Sequence, residues 1–279
     1  MNEENLNAEQ ISFSVISKEQ RLIYSAFLQR EVIVDIYLPL QLTEKKSVDL
    51  LLINDGQDLL KMDFHSLIES LIASNSIDPL MCVAIHCSAD RIHEYGTLCS
   101  ADYMGRGSKA NLYSSFIFNE LIPFIQSEFN ITSFSQKSFA GFSLGGLSAL
   151  DIVWNHPDEF VKAGIFSGAL WWRIRGYEDE NYDWEKDRIM HSQVTNGTYK
   201  PHLHFFFECG RLDETADRNN NGIIDSIEDT TDIIAELKKL GYNDDQVFYL
   251  ELEEGRHNIE TWKTAFPVFL KWGWGKEEI

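Results

Sequence analysis

Residues 137–153 read KSFAGFSLGGLSALDIV, a segment that begins like a strand, turns at glycines around a serine and continues as an apolar helix. The turn, residues 141–146, matches the pattern G-x-S-x-G with Ser143 at its centre. A serine between a strand and a helix has strained backbone angles, and flanking glycines let the backbone pass where a Cβ would clash. The start of the helix offers unpaired N–H groups to a developing oxyanion. We therefore interpret Ser143 as a nucleophile.

Strand-like and helical segments alternate along the rest of the chain. Short apolar runs predict strands, and apolar residues at helical spacing predict helices. This alternation is typical of an α/β fold with a mostly parallel sheet and helices on both faces. The predicted strands are residues 31–38, 48–53, 80–85, 137–140, 161–166, 202–207 and 246–252, and the predicted helices are residues 59–73, 112–129, 227–240 and a segment that begins at residue 144.

The 279 residues contain no internal repeat, linker or break in composition, which predicts a single domain over residues 1–279. Loop insertions are predicted at about residues 87–111, 171–201 and 214–228. The first two would leave the carboxyl ends of strands, the edge at which such sheets bind ligands. We interpret them as active-site loops or lids.

The chain is strongly acidic, with 44 Asp and Glu residues, 24 Lys and Arg residues and a formal net charge of −20. Such a protein repels phosphate backbones and anionic bilayers, so we expect neither nucleic acid nor a membrane as a partner. A neutral small molecule or a cation is easier to accommodate. The composition is also compatible with a homo-oligomer.

The amino-terminal residues 1–10 contain neither a positive region nor an apolar region, so no secretory signal is visible. No apolar stretch approaches the ~20 residues that a membrane-spanning helix needs. The cysteines form no C-x-x-C pair, which predicts free thiols in a reducing compartment. We therefore expect a cytoplasmic protein. The four free thiols would be Cys82, Cys87, Cys99 and Cys209.

A nucleophilic serine needs a base and an acid. In a fold of this kind the acid follows the serine along the chain, and the histidine that serves as the base follows the acid. His257 comes directly after the last predicted strand, where the base is expected. Asp213, in the loop after the strand at 202–207, is the predicted acid, with Glu208 and Glu214 as alternatives. The other histidines lie too early in the chain, in a long loop or at the start of a strand, and are His65, His86, His93, His156, His191, His202 and His204.

The second donor of an oxyanion hole should come from the loop after the strand at 48–53. There Gly56 permits close approach of the backbone, and we predict that the amides of Gln57 and Leu144 form the hole. Asp55 belongs to the same turn and is assigned to the substrate pocket. Trp171 and Trp172 follow a strand end near the serine, so they either line the pocket for an aromatic or sugar ring or pack in the core.

Residues 217–228 match the 12-residue calcium loop of EF-hands, D-x-[DN]-x-[DN]-G-x5-E, at every defined position. Oxygen atoms at alternating positions suit a hard cation, and Gly222 supplies the sharp turn. The chain between Asp213 and His257 exceeds what one helix and one strand need by about one such loop. We predict a structural Ca²⁺ ion bound by Asp217, Asn219, Asn221, Ile223, Asp225 and Glu228.

Six short motifs together resemble the putative esterase (esterase D-like) family of α/β-hydrolases, which includes feruloyl esterases, enterochelin-type siderophore esterases and mycolyltransferase relatives. The resemblance implies an α/β-hydrolase fold, in which the EF-hand-like loop at residues 217–228 would be an insertion between the acid and the histidine. It implies serine esterase activity without an organic cofactor and places the acid at Asp213. The family commonly has Gly-Gly-His before the base, and Gly255-Arg256-His257 departs from that pattern. The motifs are residues 51–57, 141–146, 156–160, 166–172, 209–213 and 255–257.

These observations predict a serine carboxylic-ester hydrolase with the triad Ser143, His257 and Asp213. The expected substrate is a small acyl or aryl ester of the feruloyl or acetyl type, including carbohydrate-linked esters. An acyltransferase with the same triad is the alternative within catalysis, because a sugar hydroxyl can replace water. A calcium-stabilised binding module without catalytic activity is the alternative from another class.

Overall fold

The computed structural model describes residues 14–42 and 47–276, and the predicted absence of a signal at residues 1–10 lies outside these residues. An eight-stranded sheet runs through the described chain in the order β1-β2-β4-β3-β5-β6-β7-β8. β1 and β2 pair antiparallel to each other, as do β2 and β4, and the remaining pairs are parallel. The strands are β1 Ile16–Ser25, β2 Arg30–Pro39, β3 Ser47–Asn54, β4 Met81–Ile85, β5 Ser133–Phe142, β6 Lys162–Phe166, β7 His204–Gly210 and β8 Val247–Leu252.

Helices cover both faces of the sheet. Successive residues of a buried strand point to opposite faces, so the apolar side chains on each face need helices to bury them. In β3, Leu50 and Leu52 join the core under one set of helices, and Leu51 and Ile53 join the core under α1 and α9. This is the mostly parallel α/β fold that the sequence predicts. The helices are α1 Phe64–Ala73, α2 Arg91–Glu94, α3 Ala110–Phe116, α4 Ile122–Glu128, α5 Leu144–Asn155, α6 Trp184–Asp187, α7 Ile189–Thr195, α8 Asp225–Leu240 and α9 Ile259–Trp274.

Several element boundaries differ from the sequence prediction. β1 is absent from the prediction. The helix expected over residues 59–73 is divided into a 3₁₀ turn, Gly56–Leu60, and α1. The helix expected over residues 112–129 contains a π-helical turn, Ile117–Leu121, between α3 and α4. β7 continues through Glu208 to Gly210, which the prediction placed in a loop.

The parallel strands end at one edge of the sheet, and the chain segments with the predicted chemistry follow those ends. The insertions at 87–111 and 171–201 follow β4 and β6. No helix of the described residues has the length and apolar character needed to cross a membrane. The cysteines Cys82, Cys87, Cys99 and Cys209 are free thiols.

Candidate active site

Ser143 occupies a strained turn between β5 and α5. Its backbone angles are φ 53° and ψ −120°, a conformation that side-chain-bearing residues rarely adopt. A Cβ at Gly141 would lie 2.3 Å from the carbonyl oxygen of Gly145, so the close turn requires glycine there. The amide of Ser143 donates to the carbonyl of Phe166 at 2.8 Å, and its carbonyl accepts from the amide of Ala169 at 3.1 Å. These contacts anchor the turn to the end of β6.

The two residues predicted to form the oxyanion hole lie on loops that pack tightly against each other. Leu144 is the first residue of α5, and Gln57 belongs to the 3₁₀ turn after β3. Asn54 connects the loops, because its side-chain amide donates to the carbonyl of Gly145 at 2.8 Å. A Cβ at Gly56 would lie 2.6 Å from the carbonyl carbon of Ala84, so glycine is required at this approach. The side chain of Gln57 accepts from the amide of Cys87 at 3.1 Å, which also fixes the turn.

Asp55 does not line an open pocket. Its side chain is buried and forms a bidentate pair with Arg91 on α2, with N–O distances of 2.6 and 2.8 Å. The same guanidinium donates to the carbonyl of Phe142 at 3.3 Å, directly before the serine. Burial acts against the charge of Arg91, but the hydrogen bonds that Arg91 donates to Asp55, together with the negative charge of Asp55, more than compensate and raise the pKa of Arg91. Arg91 therefore joins the insertion at 87–111 to the turn that carries Gln57 and to the turn that carries Ser143, and no motif in the sequence identified it.

His257 and Asp213 come together at the carboxyl ends of β7 and β8. Nδ1 of His257 lies 3.9 Å from Oδ2 of Asp213, longer than a hydrogen bond. The carboxylate is almost completely buried, whereas the imidazole is 40% exposed. Both carboxylate oxygens lack a hydrogen-bond partner among the described residues. Catalytic hydrogen bonds are often long in a ligand-free site and tighten on the reaction path.

The alternative acids occupy other environments. Glu208 is buried within β7 and contacts Ser167. Glu214 is exposed and accepts from the amide of Ser226 at 2.6 Å. Among the described residues, neither forms an ion pair with His257, so Asp213 is the carboxylate that faces the imidazole.

The two tryptophans assigned to the pocket differ in exposure. Trp172 is 1% exposed and packs in the core, whereas Trp171 is partly buried at its edge. The guanidinium of Arg106 lies over both rings, at 4.9 Å from Trp171 and 5.1 Å from Trp172. Trp171 therefore exposes more surface for contact with a ligand than Trp172 does.

Asp151, on α5, holds both insertions against the helix that follows Ser143. Its carboxylate accepts from the amide of Leu98 at 2.8 Å and from the side chain of Gln193 at 2.9 Å. Leu98 belongs to the insertion at 87–111, and Gln193 to α7. Burial raises the pKa of Asp151 to about 6.

The predicted calcium loop has a compact, hydrogen-bonded form. Gly222 has φ +87°, and its amide donates to Asp217 at 2.9 Å. The amide groups of Asn219 and Asn221 lie 2.7 and 2.5 Å from Oε1 of Glu228. Side chains from loop positions 3, 5 and 12 therefore meet at one point. The amide oxygens of Asn219 and Asn221 accept from the backbone amides of Asn221 and Ile223, at 3.1 and 2.8 Å, which holds both side chains within the loop.

Arg218 pairs with carboxylates of this loop. Its Nε lies 3.3 Å from Asp225 and 3.5 Å from Glu228. Its guanidinium also lies 4.1 Å from the ring centre of Trp184, so the loop contacts the insertion at 171–201. In the described part of the chain, no group of three or more His, Cys, Asp and Glu side chains is arranged to hold a metal ion. An EF-hand loop, however, takes ligands from asparagine and a backbone carbonyl as well.

Comparison with known proteins relates the chain to esterases. The family model described as Putative esterase matches residues 25–272. The uncharacterized protein YjcH of Bacillus subtilis (strain 168) is 21% identical over 256 residues, which cover 91% of this chain and 95% of YjcH.

Solved esterase structures share the fold. The enterobactin esterase FES of Shigella flexneri, solved in the presence of enterobactin, superposes with a TM-score of 0.70 at 18% identity over 92% of this chain. The match spans only 58% of FES. A ferulic acid esterase superposes with a TM-score of 0.66 at 16% identity, and the match covers 92% of this chain and 96% of that enzyme.

Proposed function

The chain belongs to the Putative esterase family and is an esterase, and we propose that it hydrolyses carboxylic esters through the triad Ser143, His257 and Asp213. The observation that carries this proposal is the strained turn at Ser143, because it presents the hydroxyl at the start of α5. The buried carboxylate of Asp213 opposite His257 supports it.

Each residue has a distinct chemical role in the proposed reaction. His257 removes the proton of Ser143 while the serine oxygen attacks the ester carbonyl, and it returns that proton to the leaving alcohol. Asp213 orients the imidazole and stabilises the imidazolium that forms. The amides of Leu144 and Gln57 stabilise the negative oxygen of the tetrahedral intermediate. Water then hydrolyses the acyl-enzyme.

The proposed substrates are small acyl or aryl esters of the feruloyl or acetyl type, including carbohydrate-linked ones. Trp171 supports this choice, because a partly exposed indole beside the nucleophile loop suits a flat ring. The ferulic acid esterase is named for an aromatic acid, which agrees with it.

A fluorophosphonate probe tests the proposal, because it phosphonylates only an activated serine. We expect one adduct per chain, on the peptide that contains Ser143, and no adduct on heat-denatured protein. Steady-state assays with aryl and acetylated-sugar esters, with and without an added alcohol, then distinguish hydrolysis from acyl transfer. Folded protein that shows no adduct and no ester turnover would refute the triad.

We further propose that residues 217–228 bind Ca²⁺ as a structural ion, with ligands from Asp217, Asn219, Asn221, Ile223, Asp225 and Glu228. The convergence of Asn219, Asn221 and Glu228 supports this assignment. The pairing of Arg218 with Asp225 and Glu228 predicts weak binding, because Ca²⁺ must displace the guanidinium from both carboxylates. The ion would stabilise the segment that carries Asp213.

Calcium is expected to raise the melting temperature of the protein, because an ion that binds only the folded state stabilises it by mass action. At a free concentration of one hundred times Kd the stabilisation is about 2.7 kcal/mol. Differential scanning calorimetry in calcium and in chelator measures it. The variant Glu228→Gln should lose this difference, whereas Asp244→Asn, at a largely exposed carboxylate, should keep it. Equal melting temperatures in calcium and chelator for the unaltered protein would contradict the assignment.

A further inference from the structure

Glu208 is a buried carboxyl group next to the proposed triad that the mechanism above does not use. It lies near the end of β7 and is 1% exposed. Its Oε1 has no hydrogen-bond partner among the described residues, and no Lys, Arg or His in the described chain forms an ion pair with it. A carboxylate in such a place is costly, and a neutral carboxylic acid is much less so.

Two polar contacts and one aromatic ring contact lead from Glu208 to the imidazole of His257. The hydroxyl of Ser167 lies 3.5 Å from Oε2 of Glu208 and accepts from Nε1 of Trp262 at 3.0 Å. The indole of Trp262 meets the imidazole edge-on, with ring centres 5.4 Å apart. The indole also stacks on the ring of Phe142, the residue before the proposed nucleophile, with ring centres 5.0 Å apart. Trp262 is thus held between the base and the nucleophile strand.

The surroundings of Glu208 favour its protonated form. Burial, and secondly the charge of Asp213, raise the pKa of Glu208 to about 8. The titratable groups that interact with it electrostatically are Asp213 from the following loop, Cys209 from its own strand and Tyr249 from β8. Ser167, which follows β6 and contacts Glu208, carries no charge, and neither does Trp262 of α9, which contacts Ser167. None of these neighbours supplies a positive charge.

We propose that Glu208 is a positioning residue that works as a neutral carboxylic acid: it supports His257 through Ser167 and Trp262, and it leaves the negative charge beside the imidazole to Asp213. This inference rests on the proposed serine-hydrolase function and deepens it. Ionised Glu208 would place a second negative charge next to Asp213, displace that carboxylate by repulsion and weaken the alignment of His257. The site should therefore lose activity when Glu208 loses its proton.

The variant Glu208→Gln tests the proposal, because glutamine is neutral at all pH values and can still accept from Ser167. The rate of inactivation by the fluorophosphonate probe, measured from pH 5 to pH 10, should decline above about pH 8 in the unaltered protein, and this decline should be absent in Glu208→Gln. At pH 7 the variant should react within about threefold of the unaltered protein. Glu214→Gln, at the exposed neighbouring carboxylate, is the matched control and should keep the decline.

Stability supplies a second measurement. Because the folded state retains a proton on Glu208 that the unfolded chain has lost, the unaltered protein should lose stability as the pH rises from about 4.5 to about 8. Glu208→Gln should show a smaller loss over the same range. Ser167→Ala, which breaks the chain to Trp262, should lower kcat about tenfold with little change in KM and should keep the decline above pH 8.

The outcomes separate this inference from the proposed function. A pH profile of Glu208→Gln that superimposes on that of the unaltered protein overturns the role of Glu208 and leaves the triad intact. A folded Glu208→Gln protein that is inactive at every pH also overturns it, because the charge of Glu208 would then be essential. Unaltered protein that fails to react at any pH refutes the triad itself.

Discussion

Replacement of Ser143 by alanine is expected to lower kcat by about 10⁶-fold, because the acyl-enzyme can no longer form. Activity that survives should come from the oxyanion donors and from binding of the ester. The fold should tolerate the change, because the strained turn depends on Gly141, whose Cβ position is blocked by the backbone of Gly145, and on Gly145, whose Cβ position is blocked by the side chain of Asp55. Steady-state kinetics with an aryl ester, together with the loss of the fluorophosphonate adduct, measure the effect.

Ser148→Ala is the matched control for this variant. Ser148 is buried within α5 and lies five residues after Ser143. Its replacement should leave kcat within a small factor of the original value. Retention of more than about a hundredth of the activity in Ser143→Ala would exclude Ser143 as the nucleophile, given the size of the expected loss.

Replacement of Asp213 by asparagine is expected to lower kcat by about 10⁴-fold. Asparagine is isosteric with the aspartate, but it carries no charge to stabilise the imidazolium and can favour the wrong tautomer of His257. The residue lies in a confined space, since a Cβ at Gly210 would meet its Oδ1 at 2.6 Å, so an isosteric change is preferable to truncation. Single-turnover and steady-state kinetics at the optimum pH measure the loss.

The comparison of Asp213→Asn with Glu208→Gln distinguishes the two buried carboxyl groups. The first variant should lose almost all activity, and the second should retain it at pH 7. A reversed pattern would assign the triad acid to Glu208, which the sequence also allowed.

The chemistry that could be predicted from the sequence is local or follows from chain order. The turn at Ser143 is encoded within six residues, because the strand, the glycines and the helix start are contiguous. The proximity of His257 and Asp213 could be predicted because the order of strands fixes which loops can meet at one edge of a parallel sheet. The alternation of strands and helices likewise predicted the parallel part of the fold.

The features that were missed depend on contacts between distant segments. Asp55 and Arg91 are 36 residues apart, and Ser167 and Trp262 are 95 residues apart. Their pairing follows from the three-dimensional packing of loops and has no signature in spacing or composition. β1 was missed for a related reason: its sequence, ISKEQRLIYS, mixes charged and apolar residues, and the strand forms by pairing with β2 along its whole length.

The shared attachment of the two insertions to Asp151 constrains how substrate preference can diversify in this scaffold. One carboxylate receives donors from both segments, through Leu98 and Gln193. A chimera that keeps residues 87–111 but imports residues 171–201 from a relative without a donor at position 193 would leave the carboxylate with the donors from Leu98 and Asn155. The two segments should therefore be exchanged together, along with Asp151 on α5.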